Sequence, residues 1–227
     1  MIFSIDHLVL SASQGQRRSL VERLETVGFA SKGFELEFPE IGAASESLGY
    51  SGGGMVEFVY RSGSKEMPSL WFDRTPRVIG VGFASDDFEA DTAWSTHPGA
   101  WMMSEDHLLP DGSNLHIHAA GPHEHLSPFY VFVMDRPSGQ LQFPELTTGP
   151  KLVRLEIAGR DAMAWRQKLQ QWLNLRSHDG QLAAGDIEIS FSESEETRLH
   201  VSPTFVVGNG ADSLPLSDGR LHLMAGD

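Results

Sequence analysis

Apolar and polar positions alternate along residues 3–12, FSIDHLVLSA, with a period of two. Successive strand side chains point to opposite faces, so this run reads as a strand. On that period His7 shares a face with Ile5, Val9 and Ser11, while Leu8, Leu10 and Ala12 line the other. Strand-like runs return at 77–85 (RVIGVGFAS) and 151–159 (KLVRLEIAG). The period then changes to that of a helix. In SQGQRRSLVERLETVGF, Leu20, Leu24 and Val27 recur at helical spacing, Ser13 is placed to cap the start and Gly28 to end it. DDFEADTAW reads as a short helix opened by Asp86. DAMAWRQKLQQWLNL reads as a longer one capped by Asp161, with Trp165, Leu169, Trp172 and Leu173 on one stripe. Further strands follow each helix: FELEF and MVEFVYR, then NLHIHAA and FYVFVMD, then DIEISFS, LHVSPTFVV and RLHLM.

The order of elements predicts an α+β protein of repeated β-α-β-β-β units. The first spans residues 1–62, a degenerate second spans 77–136 and a third spans 151–227, with the Pro/Gly-bearing LTTGPK as the clearest boundary. Superposing the first strands matches His7 with Gly80 and Arg154. Superposing the last strands matches Glu57 with His222, and the middle unit offers Val131 there. Around these positions Val56, Phe58 and Tyr60 oppose Glu57, Val153, Leu155 and Ile157 oppose Arg154 and Glu156, and Leu221 and Leu223 oppose His222. Isolated charges are costly to bury, so the ionisable faces are expected to line a solvated hollow or to coordinate something. Asp6 reads as structural, bonding backbone near the strand start.

Composition narrows the partners. Thirty-one acidic against 17 basic side chains leave a net charge of −14, which disfavours nucleic-acid and membrane-surface partners. There is no basic run of five or more residues, and no apolar run approaching the ~18 that a membrane span needs. A cytoplasmic protein is the expectation. The absence of cysteine excludes disulfides, zinc-thiolate sites and thiol nucleophiles.

IDHLVL, the helix end LETVGF and the strand MVEFV together resemble the opening unit of the vicinal oxygen chelate superfamily. SPFYVFVMDRP followed by LVRLEIAGRD resembles the later segments of its glyoxalase-like domain proteins. The resemblance implies a curved mixed sheet, a half-barrel around a central cavity, with helices on its outer face. It also implies a divalent metal held from the first and last strands of partnered units. Carried over residue by residue, it gives His7, Glu57 and His222 as metal ligands, with Arg154 at the fourth place. Two imidazoles and a carboxylate suit iron, zinc, manganese or nickel. Glu57 and Arg154 then become the candidate catalytic residues, Arg154 pairing with a substrate carboxylate. The implied activity is that of a lyase, isomerase or ring-cleavage dioxygenase acting on a small oxygenated organic molecule, with a homodimer as one way for units to pair. Two alternatives stay open. One is a metal-free binding or sequestration protein on the same scaffold. The other is a cupin-like metal site on His116 and His118, which share a strand face, with His123, Glu124 and His125 following.

Overall fold

The structure is a computed structural model and describes residues 2–39, 42–63, 72, 75–96, 98–109, 112, 114–122, 129–135, 148–178, 181–196, 198–208, 212–217 and 219–226. The first sheet holds β1 (Ile2–Ser11), β2 (Ala30–Phe38), β3 (Ala43–Gly49), β4 (Met55–Arg61), β5 (Arg77–Ser85), β6 (Trp101–Leu108), β7 (Asn114–Gly121) and β8 (Tyr130–Asp135). Their order is β2-β3-β4-β1-β5-β8-β7-β6. The second sheet holds β9 (Lys151–Ala158), β10 (Arg176–His178), β11 (Gln181–Ala184), β12 (Ile187–Ser192), β13 (His200–Val207), β14 (Asp212–Leu216) and β15 (Gly219–Ala225). Its order is β10-β11-β12-β9-β13-β15-β14. The helices are α1 (Gln14–Thr26), α2 (Phe88–Asp91) and α3 (Ala162–Leu173). The architecture is α+β, with a mixed sheet curled into a half-barrel.

Both sheets are built the same way. β1 pairs parallel with β4 and β5 parallel with β8, while β1 and β5 meet antiparallel at the centre. In the second sheet β9 and β12, then β13 and β15, repeat this around the antiparallel pair β9–β13. Residues 1–62 and 77–136, expected as two units, thus share one sheet, while residues 151–227, expected as a single unit, form a whole seven-stranded sheet.

The register contains a repeated irregularity. Ile5 faces Phe83 and His7 faces Gly82, so Asp6 is an extra residue in β1. Ile79 is the extra residue in β5, and Val153 in β9. Each precedes one of the positions that superpose, His7, Gly80 and Arg154. A β-bulge opposes two residues to one and resets the alternation. Hence Ile5 does not share the face of His7. It packs with Leu8 and Leu10 in the main core.

That core lies on the convex side of both sheets. Leu20, Val21 and Leu24 of α1, which packs on β3 and β4, and Leu169 and Leu173 of α3, which packs on β12, are buried in it. Fully burying a leucine side chain stabilises by about 1.5–3 kcal/mol, which anchors each helix by one stripe. Ser13 caps α1 through a reciprocal box with Gln16. Asp161 precedes α3 without a side-chain cap bond, and α3 ends on Asn174 in the left-handed region at φ 48°. Asp87, rather than the neighbouring Asp86, accepts from the backbone of α2.

The same core joins the sheets. Phe205 of β13 meets Phe29 and Tyr50 edge-on at 5.0 and 5.2 Å, and Tyr50 donates its hydroxyl to the Ile5 carbonyl at 3.0 Å. The convex faces therefore pack back to back, and the two concave faces look away from the shared core.

Candidate functional site

The concave face of the first sheet is lined by the other set of alternating residues. Val9, Val59, Ile79, Ala119, Phe132 and Met134 cluster there, with Phe38, Trp101, Met103, Ile117 and Tyr130 half-buried around them. Phe38 of β2 and His107 of β6 meet with ring centres 5.7 Å apart, so the edge strands approach one another across the hollow.

His7 and Glu57 come together in this hollow. His7 is 7% exposed, and Glu57, half-buried, sits one strand away opposite Val9. The bulge places Asp6 beside His7, with Asp6 Oδ2 2.5 Å from His7 Nδ1. Neither of these buried atoms has another hydrogen-bond partner. Burial alone would lower the histidine's pKa. The charge and contact of Asp6, then the charge of Glu57, more than reverse this, so the pKa stands above its ordinary value. Asp6, expected to bond local backbone, lies against Nδ1 of the imidazole, which leaves Nε2 as the ring's other nitrogen.

The opposite half of the hollow is aromatic. A side chain at Gly80 would meet the Tyr130 ring at 2.6 Å, and one at Gly82 would meet Phe132 at 2.5 Å, so both glycines are seats for rings. Tyr130 and Phe132 stack with centres 5.7 Å apart and planes 24° from parallel, and Phe132 lies 5.7 Å from the His7 ring. Burial, then the charge of Glu57, holds the Tyr130 hydroxyl well above its usual range.

The register also settles which positions correspond. Parallel pairing sets His7 with Met55 and Val9 with Glu57, and sets Gly80 with Tyr130 and Gly82 with Phe132. Gly80 is thus the counterpart of His7, and Phe132 the counterpart of Glu57. Val131, offered at that place by the sequence, points into the convex core instead. Sequence reasoning passed over Tyr130 and Phe132. The β-branched Val131 and Val133 between them carried the signal, since they mark the core face of that strand.

His222 and Arg154 lie elsewhere. Both belong to the second sheet, in one row with Glu188, Thr204 and Ser213. The set His7, Glu57 and His222 is therefore not assembled, because β1 and β15 sit in sheets whose hollows face away from each other. Among the described residues no three His, Cys, Asp or Glu side chains are grouped to hold a metal ion. Arg154 pairs with Glu188 at 3.1 Å, while Glu156 accepts from the Ser192 hydroxyl.

The histidines of β7 occupy the convex face. His116 bonds Asp106 at 2.9 Å, and His118 lies 3.9 Å from Asp135 with its ring 4.2 Å from Phe88 of α2. They back the sheet, so they do not complete the hollow. His123, Glu124 and His125 lie outside the described residues.

No protein-family model and no curated protein matches the sequence. Solved structures do match the fold. A hypothetical protein from Staphylococcus aureus aligns over 100% of both chains with TM-score 0.72 and 10% identity. A mutant of 4-hydroxymandelate synthase from Streptomyces coelicolor aligns over 94% of this chain and 77% of its own, with TM-score 0.60 and 12% identity.

Proposed function

From the vicinal oxygen chelate fold that this chain has, we propose a metal-free small-molecule binding protein whose first hollow takes a planar organic ligand. One observation carries the reading. The places across the central strand pair from His7 and Glu57 hold a glycine and a phenylalanine, and the Tyr130–Phe132 stack fills the space where further ligating side chains would stand. One imidazole and one carboxylate do not make the three- or four-ligand set that a resident divalent ion requires. The residues thus do not fit the metal of a lyase, isomerase or dioxygenase.

What remains suits recognition. An apolar, aromatic wall with a few convergent polar groups is the usual build of a small-molecule site. A flat ligand would stack on Tyr130, with Trp101 and Met103 at its rim, and turn its polar group toward Glu57 and His7. Elemental analysis of untagged protein, paired with thermal-shift titration against planar aromatic compounds, tests this. The expected result is no stoichiometric metal, with ligand-induced stabilisation lost in Tyr130→Leu and reduced in Glu57→Gln. Stoichiometric metal that disappears in Glu57→Ala would overturn the reading and restore a metal-dependent one.

A further inference from the structure

The concave face of the second sheet differs in chemistry from the first. Ser202, Thr204, His222 and Ser213 alternate with the buried Val201, Phe205, Leu221 and Leu214, so hydroxyls and an imidazole stand at the middle of the outward face of β13, β15 and β14, with Val206, Pro215 and Met224 beyond them. The cation among them is Arg220. Its Nε and Nη2 both donate to the Ser213 hydroxyl, at 2.8 and 2.6 Å, and its backbone N–H donates to the Ser202 hydroxyl at 3.2 Å. Ser213 sits opposite His222, so this clamp draws the guanidinium along the strand pair into the histidine's row.

The arrangement is locally constructed. Gly219 has φ +145°, and a side chain there would meet the Ser202 hydroxyl at 2.8 Å. Only a glycine lets that hydroxyl come under the Arg220 amide. A guanidinium offers five N–H donors, and two of Arg220's are spent on one neutral oxygen. The end-on pair of nitrogens keeps three, in the geometry that binds two oxygens of one anion.

Among the described residues the nearby carboxylates have partners. Glu188 holds Arg154, Glu156 takes the Ser192 hydroxyl, and Asp212, whose pKa its Ser213 amide, Arg23 and the charge of Arg220 hold low, pairs with Arg23. In a chain of net charge −14 an anion is repelled except where donors outnumber carboxylates at close range. Among the described residues of β13, β14 and β15, the guanidinium, the imidazole of His222 and three hydroxyls stand against the one carboxylate of Asp212.

We propose that this face is a second ligand site, for a small anion presenting paired oxygens, a carboxylate or a phosphate group. Arg220 grips it end-on, and His222 and the Ser202, Thr204 and Ser213 hydroxyls complete the contacts. The site is independent of the aromatic hollow, since the two open on opposite sides of the shared core.

Titration of the isotope-labelled protein with acetate and with inorganic phosphate, followed by amide and arginine Nε–H resonances, is the test. Expected are saturable shifts confined to β13, β14 and β15, weakened at least about tenfold in Arg220→Gln because charge-assisted bonds are lost. Ser213→Ala, which frees the guanidinium from its clamp, weakens binding while leaving its charge. Acetate alone or phosphate alone giving these shifts identifies the headgroup. Shifts that sodium chloride of equal ionic strength reproduces, or that persist in Arg220→Gln, would overturn the proposal, as would saturation with neither anion.

Discussion

Every residue of β5 is buried, and a glycine inside such a strand ordinarily weakens it for lack of a side chain to pack. Gly80 and Gly82 stand there because rings occupy the volume a Cβ would take. Gly82→Ala should therefore destabilise the protein by about 1–3 kcal/mol through overpacking against Phe132. Gly15 in the first turn of α1 has nothing within 4 Å, and Gly15→Ala should stabilise by up to about 1 kcal/mol. Urea unfolding of both variants separates ring seating from a general intolerance of side chains. His7 gives a second prediction at this scale. Its folded pKa lies above its unfolded value of 6.5, raised against burial by Asp6 and then Glu57. The protonated imidazole thus contributes stability that is fully present below pH about 6.5 and is lost as pH rises through the folded pKa. Wild-type stability relative to His7→Asn should fall between pH 6 and 9. A pH-independent difference would show that Asp6 and Glu57 do not hold the proton. The adjacent Asp6 and His7 were visible in the sequence as an oddity, but strict alternation put them on opposite faces. Only the bulge brings them together.

Elements were legible where one local rule dominates. The stripes of α1 and α3 follow the helical period, and Ser13 and Gln16 form the box that their spacing suggests. Asp161 has the same kind of residue at the same kind of place, yet its carboxylate makes no cap bond. The contrast is testable. Ser13→Ala should cost about 1 kcal/mol, and Asp161→Ala only a few tenths, in thermal or chemical melts. Equal losses would mean that charge near the helix end, not the hydrogen bond, is what matters. Bulges were not legible, because one inserted residue leaves composition and approximate period intact. Their effect is large all the same, since each resets which side chains face the hollow. Their repetition before His7, Gly80 and Arg154 supports the superposition of the first strands more firmly than any residue identity. The superposition of the last strands slipped by one residue in the middle unit for the same kind of reason: a two-residue period gives the faces but not the register.

At the scale of the whole molecule, the repetition of strands and helices could be read from the chain, but its division could not: residues 151–227, read as one unit, build a whole sheet of two halves around β9 and β13. Sheet pairing depends on which convex faces share a core, and that information is spread over residues far apart in sequence. His222 matched Glu57 in its own unit and so was grouped with it, although its sheet turns the other way. The shared core makes a further demand. Phe205 belongs to the second sheet, is fully buried, and touches Phe29 and Tyr50 of the first half of the chain. If the sheets are held together by that contact, Phe205→Ala should destabilise the whole protein by about 3–5 kcal/mol in a single transition. Near-ultraviolet circular dichroism and far-ultraviolet ellipticity would then lose their signals together on heating. Two separated transitions, with only the second sheet weakened, would show instead that each half-barrel is stable alone. The back-to-back packing would then be a docking of finished units. The first outcome makes the two opposed hollows parts of one cooperative structure, in which a ligand bound to either stabilises both.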